Sequence, residues 1–241
     1  MKKKLALASK KKLVILFTTK TTHHLALINE IAKYKNIELN IFFIKEKKIK
    51  KTNLLKKIDE FENKFFSQNN LYVSLSKIYH IDNINSKKTI SIIKNKKPKV
   101  GILFGTKKVS PEFINIFGKN LINIHRGIME KYRGLDAEYW ACFNKDFKSI
   151  GTTIHVVDTF LDKGKIILQK KIKLNKLTKC YKLRYLTTMI AIESINKIIK
   201  KILIGNVIYK KKQKIGKYYS SISKNYLNKS CNYLHQYCKN L

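Results

Sequence analysis

An asparagine and a histidine lie two residues apart at the end of an apolar stretch, NLINIH, over residues 120–125. On a β-strand, residues i and i+2 point to the same face, so we expect Asn123 and His125 to project together. The side chain of an asparagine can donate a hydrogen bond to a developing oxyanion, and a histidine can carry a proton. The pair is therefore typical of a site that transfers a carbonyl group.

A second pair of polar residues supports the same chemistry. Thr153 and His155 are again two residues apart, in the strand-like stretch GTTIHVVD, and Asp162 comes in the segment that follows. An aspartate beside a histidine stabilises the charged imidazole. Strands, or the loop after one, thus offer one asparagine, two histidines and one aspartate, although His155 also fits a core histidine whose ring is hydrogen-bonded to the backbone.

A metal centre is the competing interpretation, because histidine and aspartate are common ligands. Such a site needs three or four ligands, and asparagine is a poor one. The four cysteines form no CxxC pair and have no histidine at zinc-finger spacing. The sequence therefore predicts no metal ion, and it predicts reduced, structural cysteines.

Short apolar strands alternate with segments of helical period along most of the chain. This alternation indicates an α/β fold with a doubly wound, mostly parallel sheet and flanking helices. In such folds the site lies at the carboxyl ends of the strands. Strands are predicted at 13–19, 37–44, 99–106, 120–125, 151–158 and 164–174, and helices at 23–34, 53–66, 86–96, 111–117, 137–145 and from Thr178 to 204, with 71–84 ambiguous.

The formal charge of +37 raises the question of a nucleic-acid partner. Only three of the 52 basic residues are arginine, and the lysines are spread over all segments. We therefore expect a solvated lysine-rich surface rather than an RNA-binding one, and an RNA-binding protein without enzymatic activity remains the alternative. No stretch reaches the roughly 18 apolar residues of a membrane span. The apolar part of the N-terminus, LALA, is too short for a signal peptide, so a cytoplasmic location is expected.

Residues 122–169 resemble the core of the folate-dependent formyltransferases, a family that includes glycinamide ribonucleotide, methionyl-tRNA and aminosugar formyltransferases. The resemblance rests on the order and spacing of four motifs. They are Asn123-Ile-His125, Tyr132-Arg133-Gly134, Gly151-Thr-Thr153-Ile-His155 and Leu161-Asp162-Lys-Gly164. It implies the Rossmann-like formyltransferase fold, with the catalytic domain over residues 1–205 and a short Lys/Tyr-rich appendage over 206–241.

The resemblance also implies roles for individual residues. Asn123, His125 and Asp162 match the catalytic triad of the family, and Thr153 and His155 match supporting positions. The implied formyl donor is 10-formyltetrahydrofolate. Its pterin would lie against the backbone of two segments, and the residues expected there are Thr106, Lys107, Val109, Val157, Asp158 and Thr159.

Two features that concern the acceptor differ from those of the named members of the family. Residues 17–27 lack the glycine-rich phosphate loop of the glycinamide ribonucleotide enzymes, and about 36 residues follow Gly205 where the tRNA enzymes carry a barrel domain. We therefore expect a primary amine on a small molecule, an aminosugar or a nucleotide-linked sugar. Both named acceptors and hydrolysis of the formyl donor remain alternatives, as does an oligomer. His23 and His24 either line the acceptor pocket or lie exposed at a helix start.

Overall fold

The computed structural model describes residues 11–46, 51–66, 71–159, 164–206, 209 and 214–241. Within these ranges, seven strands form one sheet in the order β3-β2-β1-β4-β5-β7-β8. The first five are parallel, and β7 and β8 are antiparallel to their neighbours. The strands are β1 (Lys12–Thr18), β2 (Ile37–Ile44), β3 (Ser76–Ile81), β4 (Val100–Phe104), β5 (Leu121–His125), β7 (Gly151–Val156) and β8 (Ile166–Lys171).

Helices cover both faces of this sheet, which confirms the doubly wound, mostly parallel architecture. The inner strands read as continuous apolar runs because they are buried on both sides. In β1, Val14 and Leu16 face one core, while Ile15 and Phe17 face the other. The helices are α1 (Thr22–Ala32), α2 (Asn53–Phe65), α3 (Leu71–Leu75), α4 (Lys87–Lys96), α5 (Pro111–Phe117), α6 (Ala137–Phe143), α7 (Leu183–Ile204) and α8 (Lys224–Lys239).

The predicted start of α5 is confirmed, whereas α7 begins later than predicted. The Ser110 hydroxyl accepts a hydrogen bond from the Phe113 amide at 3.2 Å, and Pro111 is the first helical residue of α5, as expected. Asp136 precedes α6 but does not cap it, since its carboxylate accepts hydrogen bonds from Ser221 and Ile222 instead. Thr178 is hydrogen-bonded to Asn175, and α7 begins at Leu183.

The C-terminal residues pack against the segment that follows β5. There, β6 (Tyr132–Gly134) pairs in parallel with β9 (Lys217–Tyr219), and α8 packs on α6. A disulfide joins Cys180 to Cys231 across 51 residues of sequence, whereas Cys142 and Cys238 are free and buried. The prediction of reduced cysteines is thus wrong for this pair, because only the tertiary fold brings their Cα atoms to 5.2 Å. The division of the chain at residue 205 stays a prediction.

Two features are absent from the described ranges. No helix there combines the length and the apolar character needed to cross a bilayer. No cluster of three or more histidine, cysteine, aspartate or glutamate side chains is arranged to hold a metal ion in the same ranges.

Candidate active site

The two polar pairs meet where the sheet changes from parallel to antiparallel. Strands β5 and β7 are antiparallel neighbours, and their register places Asn123 opposite His155 and His125 opposite Thr153. The alternate residues of both strands, such as Ile124 and Ile154, point into the core on the other face. Four polar side chains from two strands therefore share one face, near the carboxyl end of β5.

A hydrogen-bond chain fixes the amide of Asn123. The Nδ1 atom of His155 lies 2.8 Å from the carbonyl oxygen of Val156, to which it must donate. In the neutral ring, Nε2 of His155 then accepts a hydrogen bond from Nδ2 of Asn123, at 3.1 Å. His155 is thus a buried histidine bonded to backbone and, at the same time, the residue that orients Asn123.

The ring of His125 is held by the loop that follows β5. Its Nε2 atom donates to the carbonyl oxygen of Tyr132 at 2.8 Å, so in the neutral ring Nδ1 carries no hydrogen. The backbone of Gly127 passes so close to this ring that a Cβ atom there would collide with Nε2. This close approach requires glycine at residue 127.

Thr153 lies beneath the site and secures the same loop. Its fully buried hydroxyl donates to the carbonyl oxygen of Gly127 at 2.6 Å and accepts from the amide of Met129 at 3.2 Å. Both hydrogen bonds fix the loop after β5, which also contains Tyr132, whose carbonyl oxygen accepts the hydrogen bond from His125. Thr153 therefore acts on the geometry of the site and does not reach its surface.

A cavity of about 440 Å³ opens beside these residues. Its lining includes most of the residues predicted for the site: Thr106, Lys107, Val109, Asn123, His125, His155, Val157 and Asp158. Thr159 is not part of the lining, although its amide and hydroxyl both hydrogen-bond to the Asp158 carboxylate. Asp162 lies outside the described residues, so its predicted role stays a prediction.

The cavity wall suits a flat heterocycle on one side. Leu103, Val109 and Val157 supply apolar surface, and residues 105–109 run between β4 and α5 in neither helix nor strand. Backbone groups of such a segment can hydrogen-bond the edge of a planar ring while the side chains cover its faces. The position of the pterin stays a prediction.

The opposite wall contains residues that sequence reasoning did not select: Arg126, Gly134, Leu135, Asp136, Glu138 and Tyr218. Glu138 is buried, and this burial raises the pKa of its carboxyl group, while the charge of Arg126 opposes the rise. The position of Glu138 in the first turn of α6, soon after the Tyr-Arg-Gly motif, could have indicated from the sequence that it lies near the site. Nothing in the sequence pointed to Tyr218, which reaches the cavity through the pairing of β9 with β6.

His23 and His24 follow neither of the two predictions made for them. They are 4% and 5% exposed, respectively, and they are absent from the cavity lining. His24 is hydrogen-bonded to the hydroxyls of Thr19 and Thr21, and His23 lies 3.3 Å from Glu62. Burial holds the pKa of both rings well below its usual value, and nearby positive groups lower it further.

Comparison with known proteins agrees with this geometry. Residues 11–183 match the family described as formyl transferase. The methionyl-tRNA formyltransferase of Thermodesulfovibrio yellowstonii is 34% identical over 119 residues, which are 47% of this chain and 38% of that protein. The phosphoribosylglycinamide formyltransferase of Escherichia coli is 38% identical over 76 residues, 31% of this chain and 35% of that protein. The chain thus spans little more than a third of the length of these curated relatives.

Solved structures share the fold over most of the chain. A 4-N formyltransferase from Francisella tularensis aligns with a TM-score of 0.64 and 22% identity, covering 92% of this chain and 87% of that one. WlaRD, a sugar 3N-formyltransferase crystallised with dTDP and 5-N-formyl-THF, aligns with a TM-score of 0.62 and 18% identity, covering 93% of this chain and 79% of that one. With the family match covering more than half of the sequence, the chain belongs to the formyl transferase family.

Proposed function

We propose that the protein transfers a formyl group from 10-formyltetrahydrofolate to a primary amine of a small molecule, an aminosugar or a nucleotide-linked sugar. The observation that carries this proposal is the convergence of Asn123, His125 and His155 on one cavity, beside an apolar wall suited to a pterin. An amide donor and a histidine at one reacting carbon are what acyl transfer to an amine requires.

The reaction follows from the roles of these groups. The nitrogen of the acceptor attacks the formyl carbon and forms a bond to it, which gives a tetrahedral intermediate. The bond from that carbon to N10 of the folate breaks when the intermediate collapses. The carbonyl oxygen becomes an oxyanion in between, and the amide of Asn123, oriented by His155, donates a hydrogen bond to it. The proton lost by the amine ends on N10.

His125 handles charge at the same carbonyl. In its cationic form the imidazole stabilises the oxyanion or passes a proton towards the leaving nitrogen. In the proposal, Asp162 stabilises that cation and orders a water molecule for the transfer. The hydrogen bond from His125 to Tyr132 keeps the ring in place throughout.

The donor assignment has support on both sides of the cavity. Thr106, Lys107 and Val109 on one segment, and Val157 and Asp158 on the other, line the expected pterin position. The WlaRD structure, which shares this fold, was solved with 5-N-formyl-THF. Thr159, the remaining residue predicted there, would act by holding Asp158 in place.

The acceptor assignment rests on the size and chemistry of the remaining wall. A cavity of about 440 Å³ admits the amine-bearing ring of a small molecule beside the folate head. Solved sugar formyltransferases align with nearly the whole chain. The curated relatives favour a second candidate, the methionyl group on tRNA, and the net charge of +37 is compatible with it.

A screen of acceptors with 10-formyltetrahydrofolate tests the proposal, with tetrahydrofolate release as the readout. The panel contains dTDP- and UDP-linked 3-amino and 4-amino sugars, glycinamide ribonucleotide and methionyl-tRNA. We expect release that depends on an aminosugar. Release only with methionyl-tRNA, or only with glycinamide ribonucleotide, would identify that molecule as the acceptor in place of an aminosugar. Release without any amine would indicate a hydrolase. No release with any of them, combined with tight RNA binding at physiological salt, would favour the RNA-binding alternative.

The proposal includes a cytoplasmic location for the protein. A cytoplasmic protein would have access to folate and to nucleotide-linked sugars. The Cys180–Cys231 disulfide is unusual for that compartment, where thiols are kept reduced. Measuring the redox state of these two cysteines in protein trapped directly from cells tests the location.

A further inference from the structure

One wall of the cavity contains two buried polar atoms that make no hydrogen bond to any described residue. They are Nη1 of Arg126 and Oε1 of Glu138. Buried polar atoms without a partner are rare, and each calls for an explanation. The other buried side-chain atoms without a partner in the described ranges belong to Asn40, Tyr139 and Ser194, none of which lines the cavity.

The two atoms lie side by side. They are 3.3 Å apart, and although their charges attract, they are not aligned as a hydrogen bond. The side chain of Glu138 is 2% exposed and that of Arg126 is 23% exposed. Arg126 directly follows His125 at the end of β5, so the pair lies next to the predicted reacting centre.

The chemistry of the pair favours a neutral ligand group over a charged one. Glu138 offers an acceptor and Arg126 a donor, so the group between them must both donate and accept. A hydroxyl does both, and at about 2.8 Å from each atom a single oxygen can reach the two. An ammonium group would be repelled by Arg126, and a phosphate or carboxylate would be repelled by Glu138.

We propose that Glu138 and Arg126 bind a hydroxyl group of the acceptor, on the carbon next to the one that bears the reacting amine. The inference rests on the proposed function, because the hydroxyl is located relative to the attacking nitrogen. It narrows the acceptor from any primary amine to a vicinal amino alcohol, an arrangement that hexose rings carrying an amine commonly contain. A ligand without the hydroxyl leaves both buried atoms unpaired and binds more weakly.

The test compares acceptors that differ only in this hydroxyl. The probes are dTDP- and UDP-linked 3-amino and 4-amino sugars, each with its deoxy counterpart lacking the hydroxyl beside the amine. Binding is measured by calorimetry with the donor site filled by tetrahydrofolate. For wild-type protein we expect the hydroxylated form of at least one sugar to bind about 10- to 100-fold more tightly than its deoxy form.

Variants assign this preference to the pair. Glu138→Leu and, independently, Arg126→Met should bring the two forms of the sugar within about threefold of each other, by weakening the hydroxylated one. Glu193→Leu, on the exposed surface of α7, is the matched control and should keep the wild-type preference. Tetrahydrofolate affinity should be equal in all four proteins.

Three results would overturn the inference: wild-type protein that binds none of the hydroxylated sugars, wild-type protein that does not distinguish the deoxy forms, or variants that keep the preference. The outcomes separate this inference from the proposed function. Formyl transfer to an amine without hydroxyl dependence rejects the inference alone. Binding that depends on Glu138 without any formyl transfer rejects the proposed function and keeps the hydroxyl site.

Discussion

Two buried arginine–carboxylate groups differ in how completely they are hydrogen-bonded. Arg184 on α7 donates from Nε and Nη2 to the two carboxylate oxygens of Glu62 on α2, at 2.7 and 2.8 Å, and from Nη2 to Asp59 at 2.6 Å. Arg126 and Glu138 lie 3.3 Å apart without a hydrogen bond between them. The first group makes three hydrogen bonds within the protein, and the second borders the cavity.

The difference separates a structural ion pair from a binding one. A forked, hydrogen-bonded pair of this kind links two helices, and removing one partner leaves a buried charge. A buried pair with an open donor and an open acceptor can gain partners from a bound ligand or from ordered water. We therefore expect changes around Glu62 to affect stability and changes around the cavity to affect binding and catalysis.

The largest effect is expected for Glu62→Ala. It strands the charge of Arg184 and removes the partner of His23, so the free energy of unfolding should fall by about 3–5 kcal/mol. Glu138→Ala is the matched substitution on the cavity side and should lower the free energy of unfolding by less, because Arg126 is 23% exposed and its Nη1 atom makes no hydrogen bond to Glu138. Urea unfolding measures both, and equal losses in the two variants would remove the distinction.

Asn123→Ala tests the cavity side through activity. Loss of the amide that faces the developing oxyanion should lower kcat by about 10²- to 10³-fold. Tetrahydrofolate affinity and melting temperature should stay close to those of wild type. Asn144→Ala, an exposed position at the end of α6, is the control and should leave kcat unchanged. A normal kcat in Asn123→Ala would contradict the assignment.

The histidines beside Glu62 predict a pH dependence of stability. Because burial lowers the pKa of His23 and His24 in the folded protein, the unfolded chain binds protons first as the pH falls. Their contribution to the free energy of unfolding is complete above the pKa that the histidines have in the unfolded chain. It is lost as the pH falls below that pKa, with a slope of about 1.4 kcal/mol per pH unit for each ring. Unfolding measured between pH 7.5 and 5.5 should show a shallower slope in His24→Gln. An unchanged slope would mean that the ring is charged in the fold.

The smallest expected effect is a difference in kcat/KM between variants of two adjacent threonines of β7. Thr153→Val leaves the carbonyl of Gly127 and the amide of Met129 unpaired, whereas Thr152→Val frees only the carbonyl of Thr187 on α7. Each should cost about 1–3 kcal/mol of stability. Only Thr153→Val should also lower kcat/KM, because it loosens the loop that holds His125. Equal kcat/KM values in the two variants would show that this loop does not position the histidine.

The face shared by the two polar pairs could be predicted from local pattern. The two-residue period of a strand places Asn123 and His125 on one face, and the same rule applies to Thr153 and His155. The doubly wound sheet could be predicted as well, because the alternation of strands and helices is also read from local patterns of apolar residues. Short-range geometry decides these features, so a single sequence is enough.

The opposite wall depends on contacts between distant residues. Tyr218 reaches the cavity because β9 pairs with β6, about 85 residues earlier in the chain, and Cys180 meets Cys231 in the same region. His23 and His24 looked like polar residues at a helix start. Their burial depends on Glu62 and on the packing of the His24 ring against Phe104. No local pattern carries this information.

The most direct test of the central claim is the stoichiometry of tetrahydrofolate release. Wild-type protein with 10-formyltetrahydrofolate and a nucleotide-linked aminosugar should release one tetrahydrofolate for each formamido sugar formed, and His125→Ala should form neither above background. Tetrahydrofolate release at the same rate without an amine, or formamido sugar formed equally well by the His125→Ala variant, would contradict the account.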